Sequence, residues 1–318
     1  MKYKNEKIRE TWTLCVQRYK ASMQYAREEK SKVRRALYGI TTFGIPYIPY
    51  TLARFKIPVL FGNTHATLFF GKQMTLPADD IGSYVFSLYG IIPHGCERKL
   101  TEWMMRNVDE SDVVYDVGAH LGFYTALAEH LAQDGEVHAF EANKKLCTYL
   151  HKNFSTSSQV FVTCTIVAGS EEEVDFYDAT DVQDSSASSR FNIVESHVIP
   201  TKLPAMTLDA YIASGRKPPT IIKLDIEGGE YDAIMGALNL IEKNKPRIIL
   251  EVWGGEMGRK YSDNAVKKLQ KLGYEAFSFE RDGTVASEPI SDPVGNIPDG
   301  THNPRDNFLF ATIGNKMV

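Results

Sequence analysis

The stretch Val113-Val-Tyr-Asp-Val-Gly-Ala-His-Leu-Gly-Phe-Tyr-Thr125 decides the fold of this 318-residue chain. It is typical of a short apolar strand that ends at Asp116, a turn containing two glycines, and the first residues of a helix. In an open α/β sheet, ligands bind beyond the carboxyl ends of the strands. The stretch therefore predicts a site for a nucleotide-like cofactor at the end of this strand.

A second acidic position follows at the spacing that this architecture requires. The next predicted strand, 137–140, leads directly into Glu141. A carboxylate at the end of the second strand can accept hydrogen bonds from ribose hydroxyls. Glu141 is accordingly a candidate ribose ligand.

The rest of the chain alternates strands with helices. Short β-branched runs predict strands at 113–115, 137–140, 160–167, 220–224 and 247–252. Helices are predicted between and after them, at 124–132, 144–154, 207–214, 231–243 and 265–272. A possible hairpin joins 275–279 to 307–311. This order indicates βαβ units and a doubly wound parallel sheet, and the near-continuous apolar strands indicate burial on both faces.

The details of the glycine turn favour one cofactor over another. A dinucleotide pyrophosphate requires GxGxxG, whereas Gly118 and Gly122 form GxxxG and follow an acid, Asp116. The side chains of Ala119 and His120 would obstruct a phosphate. An acidic turn suits a ligand that carries an ammonium and a sulfonium group, and S-adenosylmethionine is such a ligand.

Several motifs together carry a resemblance to a known family. They are Asp-x-Gly-Ala-x-x-Gly-Phe-Tyr-Thr at 116–125, Phe-Glu-Ala-Asn at 140–143, Thr-Leu-Asp-Ala-Tyr at 207–211, Ile-Lys-Leu-Asp-Ile-Glu-Gly-Gly-Glu-Tyr at 222–231, Leu-Glu-Val at 250–252 and Asn-Phe-Leu-Phe at 307–310. Over roughly residues 94–312 the chain resembles the FkbM family of S-adenosylmethionine-dependent methyltransferases. The resemblance implies a Rossmann-like class I methyltransferase fold, an α/β structure with a seven-stranded, mostly parallel sheet and helices on both faces. It also implies methyl transfer, typically to a hydroxyl oxygen of a sugar, glycan or natural product.

The resemblance assigns candidate cofactor-binding residues. The glycine turn would hold the methionine part, Glu141 the ribose, and Asp225 would lie closest to the transferred methyl group. The full set is Glu97, Asp116, Gly118, Ala119, His120, Gly122, Tyr124, Glu141, Asn143, Ala168 and Asp225.

Acidic residues near the end of the fourth strand are the candidate catalytic groups. In an alternating strand Asp225 and Glu227 point to the same side, and Glu230 follows at a predicted helix start, where a purely electrostatic role is the alternative. Candidates for the base that deprotonates the acceptor are Asp225, Glu227 and Glu251, with His94, His120 and His302 behind them. No dedicated metal site is expected; Mg²⁺ held by the same three acids is a minority alternative.

Three residues are weaker candidates for binding the acceptor. Ser188 and Arg190 lie in a polar loop that resembles a serine-containing segment of the family. Arg190 suits an anionic acceptor, and Trp253, just after a strand, suits a sugar face. Structural interpretations compete with each: a surface loop for the first two, and a packing residue for Trp253.

Charge divides the chain unevenly. Hydrophobic residues make up 43% and charged residues 24%, so wholesale disorder is excluded. Residues 1–60 hold 13 Lys/Arg and 4 Asp/Glu, whereas the remainder holds 23 and 36. We therefore predict a basic amphipathic N-terminal extension at 1–60, a helical and β lead-in at 61–110, and the methyltransferase domain at 111–318. The extension would pack on its own domain, mediate a homo-oligomer or touch an anionic membrane surface; nucleic acid is not an expected partner.

Cysteine usage and hydropathy bear on location. The four cysteines (Cys15, Cys96, Cys147 and Cys164) show no CxxC pair, so neither a zinc knuckle nor a disulfide framework is expected, and a reducing compartment fits. The charged N-terminus argues against a secretory signal, and no apolar stretch of membrane-spanning length is expected. The expected location is the cytoplasm, with peripheral contact at the inner face of a membrane as an option.

An O-methyltransferase is thus the leading hypothesis. The alternatives are an NAD-type dinucleotide-dependent oxidoreductase, disfavoured by the GxxxG spacing, and a non-catalytic Rossmann-like binding protein recruited by its basic arm.

Overall fold

The computed structural model describes residues 6–43, 63–78, 80–92, 95–178, 200–297, 304–312 and 315. Its N-terminal elements are α1 (Glu6–Glu28), α2 (Lys32–Phe43), β1 (Asn63–Thr67), β2 (Gln73–Pro77), α3 (Ile81–Tyr89) and α4 (Gly95–Asn107). The elements that follow are β3 (Val113–Val117), α5 (Phe123–Leu131), β4 (Glu136–Glu141), α6 (Lys144–Phe154), β5 (Val160–Cys164), β6 (Ile166–Val167), β7 (Glu173–Phe176), β8 (Thr201–Met206), α7 (Leu208–Ala213), β9 (Ile221–Leu224), α8 (Glu230–Met235), α9 (Leu238–Asn244), β10 (Arg247–Trp253), α10 (Gly255–Tyr261), α11 (Asp263–Lys271), β11 (Glu275–Ser278), α12 (Pro293–Asn296) and β12 (Arg305–Ala311).

The central sheet has seven strands in the order β11-β12-β10-β9-β3-β4-β5. Strands β5, β4, β3, β9 and β10 run parallel, and β12 is antiparallel to both of its neighbours, β10 and β11. This arrangement confirms the predicted Rossmann-like class I methyltransferase fold. The predicted hairpin also forms, and its second strand inserts between β10 and β11.

Apolar side chains alternate between the two faces of the sheet, as the strand geometry requires. In β3, Val114 belongs to one hydrophobic cluster, whereas Val113, Tyr115 and Val117 belong to the other. All five residues of β3 and all seven of β10 are buried. Helices therefore cover both faces, which explains why these strands have near-continuous apolar sequences.

Two predicted elements are interrupted in the structure. The predicted helix 231–243 is two helices, α8 and α9, separated at Gly236 and Ala237. The chain at Gly236 passes so close to Ala168 that a Cβ atom would lie 2.0 Å from the Ala168 carbonyl oxygen, so the position requires glycine. The predicted strand 160–167 is divided between β5, in the central sheet, and β6, which joins a three-stranded sheet with β8 and β7. That small sheet was not predicted.

The basic extension packs on the domain through α1. Trp12 is 1% exposed, its indole Nε1 donates a 2.6 Å hydrogen bond to Glu102 of α4, and Tyr19 meets Tyr89 of α3 edge to face. The face of α1 that carries Trp12 and Tyr19 therefore packs on the domain, which is the first of the roles predicted for the extension. Membrane contact through residues 1–60 and homo-oligomerisation stay predictions. No helix in the described ranges is both long and apolar enough to cross a membrane.

The prediction that the chain has no disulfide was wrong. Cys147 and Cys164 are bonded, with a Cα–Cα distance of 5.7 Å, whereas Cys15 and Cys96 are free. Helix α6 packs against β5 and brings together two cysteines that are 17 residues apart in the sequence. The inferred reducing compartment loses the support that it drew from unpaired cysteines.

Candidate active site

A cavity of about 530 Å³ lies at the carboxyl ends of β3, β4, β9 and β10. Its lining residues come from 80–92, 96–97, 117–124, 140–146, 165–176 and 223–229, together with Glu251 and Arg305. The cavity thus lies where the sequence predicted a cofactor site. Residues from both the predicted lead-in and the predicted methyltransferase domain line it.

The glycine turn after β3 allows two strand ends to approach closely. Gly118 has a φ of +86°, and a Cβ atom at this position would lie 1.8 Å from the backbone oxygen of Asp225. Only glycine fits such a position. The turn therefore brings the end of β9, with Asp225, against the predicted cofactor-binding backbone.

Glu141 is held at the end of β4 with its carboxylate directed into the cavity wall. Its Oε2 accepts a 2.7 Å hydrogen bond from the backbone N–H of His120, and its Oε1 accepts a 2.8 Å bond from the N–H of Asn143. Burial raises the pKa of Glu141 despite these donors. A carboxylate has about four acceptor positions, so Glu141 retains capacity for two hydroxyl donors such as those of a ribose.

The wall beyond Glu141 is largely apolar. It is formed by Leu146, Thr165, Ile166, Val167 and Phe176. Because the sequence prediction places the adenine ring beside Val167 and Ala168, we refer to this part as the adenosine end of the cavity.

Two predicted cofactor residues lie outside the lining of this end. Asn143 does not line the cavity, and its side chain caps α6 by accepting hydrogen bonds from the N–H groups of Lys145 and Leu146. Ala168 is buried beneath the small sheet, where its N–H donates to Met206, and the neighbouring Val167 takes the place expected for it.

Lys223 lies at the centre of the charged part of the cavity. It is 4% exposed, and its ammonium Nζ lies 2.9 Å from Asp225 and 3.7 Å from Asp116. Burial favours the neutral form of Asp225, but the charge of Lys223 outweighs this effect and lowers the pKa of the carboxyl. Asp225 is therefore an anion at neutral pH.

Glu97 enters the cavity from the start of α4. Its carboxylate accepts a 2.6 Å hydrogen bond from the hydroxyl of Tyr124 and a 3.2 Å bond from the side-chain amide of Asn307. Burial and the nearby charge of Asp225 raise the pKa of Glu97. The carboxylate of Glu97 on α4 is thus hydrogen-bonded to α5 through Tyr124 and to β12 through Asn307.

Glu227, Glu251 and Arg305 form the far side of the charged part, which we call the acceptor end. The Arg305 guanidinium lies 3.0 Å from Glu227 and 3.4 Å from Glu251. Burial raises the pKa of Glu227 to about 7, and Arg305 limits that rise. Burial and the charge of Asp225 raise the pKa of Glu251 further, well above its usual range.

The way in which Glu227 enters the cavity differs from the prediction. Strand β9 ends at Leu224, so strand alternation does not align Asp225 with Glu227. Glu227 instead adopts a φ of +52°, which is uncommon for a residue other than glycine. Glu230 begins α8 as predicted, and its carboxylate accepts hydrogen bonds from the N–H groups of Ile226 and Gly228. It therefore fixes the turn that carries Glu227, while the electrostatic role at the helix start stays a prediction.

Trp253 does not offer a stacking surface to a sugar. It is 6% exposed, packs edge to face on Tyr261, and donates from its indole Nε1 to the Glu251 carboxylate at 3.0 Å. The structure thus corrects the prediction in favour of the packing alternative. The other two acceptor candidates, Ser188 and Arg190, lie outside the described residues, as do the base candidates His94 and His302.

Most of the predicted site residues come together. Those that line the cavity are Glu97, Gly118, Ala119, His120, Tyr124, Glu141, Asp225, Glu227 and Glu251. Two more lie outside the lining. Asp116 is 1% exposed and accepts a 2.6 Å hydrogen bond from the Thr125 hydroxyl. Gly122 is the N-cap of α5 and has a φ of +87°.

Sequence reasoning missed three charged or polar residues of the site. Lys223 lies two positions before Asp225, within a motif that was recognised only for its acids. Asn307 is the first residue of the recognised Asn-Phe-Leu-Phe motif and Arg305 lies two positions before it, and their place in the site depends on how β12 pairs with β10. The signal that was available for Lys223 is the position of its motif at the end of the predicted strand 220–224.

Carboxylate oxygens of Glu97, Asp225 and Glu251 lie within 4.8 Å of one another. The magnesium alternative named Glu227 in place of Glu97, and Glu227 is paired with Arg305. Lys223 and Arg305 already provide two positive charges to this cluster. The two cations therefore offset part of the negative charge of these acids.

The acids suit a cationic cofactor, and the cavity supports both halves of S-adenosylmethionine. Glu141 and the apolar wall fit its adenosine, and the anions around Lys223 fit its sulfonium and ammonium groups. Together, the strand order and this site define a Rossmann-like methyltransferase.

The sequence itself places the chain within that class. Residues 116–276, just over half of the chain, match the methyltransferase FkbM domain, so the chain belongs to the FkbM family of S-adenosylmethionine-dependent methyltransferases. This membership decides against the oxidoreductase and the non-catalytic binding protein. The chain has no match among the curated proteins.

Solved structures show similarity at low identity. A methyltransferase FkbM from Methylobacillus flagellatus KT is 15% identical with a TM-score of 0.40, and the match covers 64% of this chain and 44% of that one. A precorrin-6y C5,15-methyltransferase from Geobacter metallireducens GS-15 is 14% identical with a TM-score of 0.38, covering 70% and 92%. Aeropyrum pernix fibrillarin, with natively bound S-adenosyl-L-methionine, is 8% identical with a TM-score of 0.39, covering 68% and 73%.

Proposed function

We propose that this methyltransferase acts on oxygen, at a hydroxyl group of a sugar, glycan or natural product. The observation that carries the proposal is the acceptor end of the cavity, where Glu227, with a pKa of about 7, lies beside Arg305. A hydroxyl gives up its proton reluctantly, and a base whose pKa lies near the working pH is the most effective acceptor of that proton. A neutral amine acceptor has less need of such a base.

The three acids differ in the direction of their pKa shifts, which divides their roles. Lys223 lowers the pKa of Asp225, which would face the cationic end of the cofactor, whereas burial and the charge of Asp225 raise the pKa of Glu251. Burial raises the pKa of Glu227 to about 7, so we assign Glu227 as the general base. S-adenosylmethionine supplies a methyl group already activated by its sulfonium.

The surroundings of Glu227 position it for proton transfer. Arg305 donates to its Oε1, and Glu230 holds the preceding turn through two backbone N–H groups. When the acceptor oxygen is also held in line, positioning of this kind can lower the activation barrier by roughly 7–11 kcal/mol. The acceptor hydroxyl would pass its proton to Glu227 as its oxygen takes the methyl group, while the methyl carbon–sulfur bond breaks and S-adenosylhomocysteine is the leaving group. Arg305 favours the anionic state of Glu227 before that transfer.

The test is methyl transfer from isotope-labelled S-adenosylmethionine to a panel of sugars, glycans and phenolic or alcoholic natural products, with amines as a comparison set. We expect methyl ethers as products. The Glu227→Gln variant should lose about 10²–10⁴-fold in kcat with unchanged cofactor affinity, since general-base catalysis has that magnitude.

Glu256→Gln is the matched control, because Glu256 is an exposed carboxylate in α10. It should keep the full rate. Labelled amines without labelled ethers would overturn the oxygen assignment, and an undiminished kcat in Glu227→Gln would remove Glu227 from the role of base.

A further inference from the structure

The disulfide between Cys147 and Cys164 joins the two segments that frame the adenosine end of the cavity. Cys147 follows Leu146, which lines the cavity, and Cys164 precedes Thr165, which lines it from the other side. The bond thus connects α6 to the end of β5 across the part of the wall that the purine would contact.

The same bond adjoins the ribose ligand. Cys164 pairs with Glu141 in the register of β5 and β4, and the N–H of Thr165 donates to the backbone oxygen of Glu141 at 3.1 Å. On the other side of the bond, Asn143 donates to the Glu141 carboxylate and caps the helix that carries Cys147. The position of Glu141 is therefore fixed by both segments that the disulfide ties together.

The surroundings of the bond favour its reduction. The Cys164 side is exposed, whereas Cys147 is fully buried. His151, one turn after Cys147 on α6, is exposed, and a ring nitrogen lies within 4.8 Å of both sulfur atoms. An open sulfur with an imidazole beside it differs from an inert, enclosed disulfide, because the imidazole can supply a proton to a departing thiolate.

We propose that Cys147–Cys164 is a redox-controlled bond that sets the affinity of the adenosine end for its cofactor. The reductant is a dithiol. One of its thiolates attacks the exposed Cys164 sulfur, the S–S bond breaks, and its electron pair passes to the Cys147 sulfur, which takes a proton from His151. The second thiol of the reductant then displaces Cys164, so the dithiol becomes a disulfide and the protein gains two thiols.

Reduction removes the connection between α6 and β5, so Leu146 and Thr165 are no longer fixed relative to each other. The cofactor must then order these segments when it binds, and its affinity falls. The proposal depends on the cofactor site and not on the identity of the acceptor.

The test is calorimetric titration of S-adenosylhomocysteine into the full chain, oxidised and after treatment with tris(2-carboxyethyl)phosphine. We expect Kd to rise about fivefold on reduction, the lower end of typical coupling between two sites. The Cys147→Ser/Cys164→Ser double variant retains Cys15 and Cys96 and should bind weakly with or without the reductant. His151→Ala should slow reduction by dithiothreitol at neutral pH and leave the Kd of the oxidised protein unchanged.

Equal Kd values for the oxidised and reduced protein would overturn the proposal. So would global unfolding on reduction, seen by circular dichroism, since the bond would then serve stability alone. An unchanged reduction rate in His151→Ala would refute the part assigned to the imidazole. Failure of both forms to bind would instead contradict the assignment of the cofactor site, so the two failures are distinguishable.

Discussion

The two ends of the cavity are built in different ways. The adenosine end consists of backbone turns, apolar side chains and one carboxylate, Glu141, all supplied by residues 117–176. The acceptor end consists of charged side chains from the turn after β9, from β10 and from β12, and two of these residues, Arg305 and Glu251, are 54 residues apart in the sequence. One end is a local feature of the chain, and the other exists only after the sheet has assembled.

This difference separates binding from chemistry. The adenosine end needs a fixed shape, which glycine turns and close packing provide. The acceptor end needs carboxyl groups whose pKa values differ. Burial and neighbouring charges shift those pKa values by different amounts. Changes at the first end should act on cofactor affinity, and changes at the second should act on rate and its pH dependence.

The largest effect is expected at Gly118, where the two ends meet. In Gly118→Ala the new Cβ would collide with the backbone oxygen of Asp225, so the ends of β3 and β9 must separate. We expect a loss of at least about 3 kcal/mol in the free energy of unfolding, together with loss of S-adenosylhomocysteine binding. Chemical denaturation and calorimetry measure the two quantities.

Gly71→Ala provides a matched control for this change. Gly71 also has a positive φ, +93°, but no atom lies within 4 Å of its added Cβ. It should lose only about 1 kcal/mol, the cost of a positive φ for a residue with a side chain. Equal losses of unfolding free energy in the two variants would show that the close approach of Gly118 to Asp225 does not contribute to stability.

The next effect concerns affinity alone. Glu141→Gln replaces a carboxylate that binds two backbone N–H groups and would bind the ribose, so we expect the Kd for S-adenosylhomocysteine to rise about 10–100-fold, as for other hydrogen bonds to a charged group. Glu136→Gln, at the opposite end of β4, should leave Kd unchanged. Full affinity in Glu141→Gln would show that Glu141 only holds the turn.

The same contrast explains how much the sequence could predict. Asp116, Gly118 and Glu141 lie within one βαβ unit, where strand ends and turn residues are adjacent in the chain, so their positions follow from a local pattern. Arg305 reaches the site because β12 inserts between β10 and β11, with Trp253 opposite Arg305 in the register. Local periodicity contains no information about that pairing.

Two further discrepancies have the same physical origin. Cysteine spacing does not reveal that α6 packs on β5, and so the bond between Cys147 and Cys164 was missed. An aromatic residue at a strand end can face a ligand or the core, and only the packing of α10 and α11 decides that Trp253 faces the core. The sequence was enough to predict the sheet, the glycine turn and the acids. The residues that each of them contacts depend on packing between segments that are far apart in the chain.

A third prediction examines the acceptor end through its pH dependence. The positive charge of Arg305 lowers the pKa of Glu227, which burial raises to about 7. Since a general base must be deprotonated, kcat should increase with pH through about 7 and then level off. In Arg305→Gln the midpoint should move upward by about one pH unit, because an opposite charge at this distance typically lowers a carboxyl pKa by 1–3.

Arg305→Lys keeps the charge and should keep the midpoint close to that of the original protein. Cofactor affinity should be unchanged in both variants, because Arg305 lies at the acceptor end. A midpoint that does not move in Arg305→Gln would show that another group titrates in the rate profile.

The smallest effect is expected for Trp253→Phe, which distinguishes a packing residue from a ligand of the acceptor. Phenylalanine keeps most of the contact with Tyr261 but loses the indole N–H that Trp253 donates to Glu251. We expect a loss of about 1–2 kcal/mol in unfolding free energy, the typical net value of one hydrogen bond to a carboxyl group, with KM for the acceptor unchanged. Steady-state kinetics and chemical denaturation separate the two quantities. A large increase in KM with unchanged stability would place Trp253 against the acceptor. It would contradict the assignment of Trp253 as a buried packing residue.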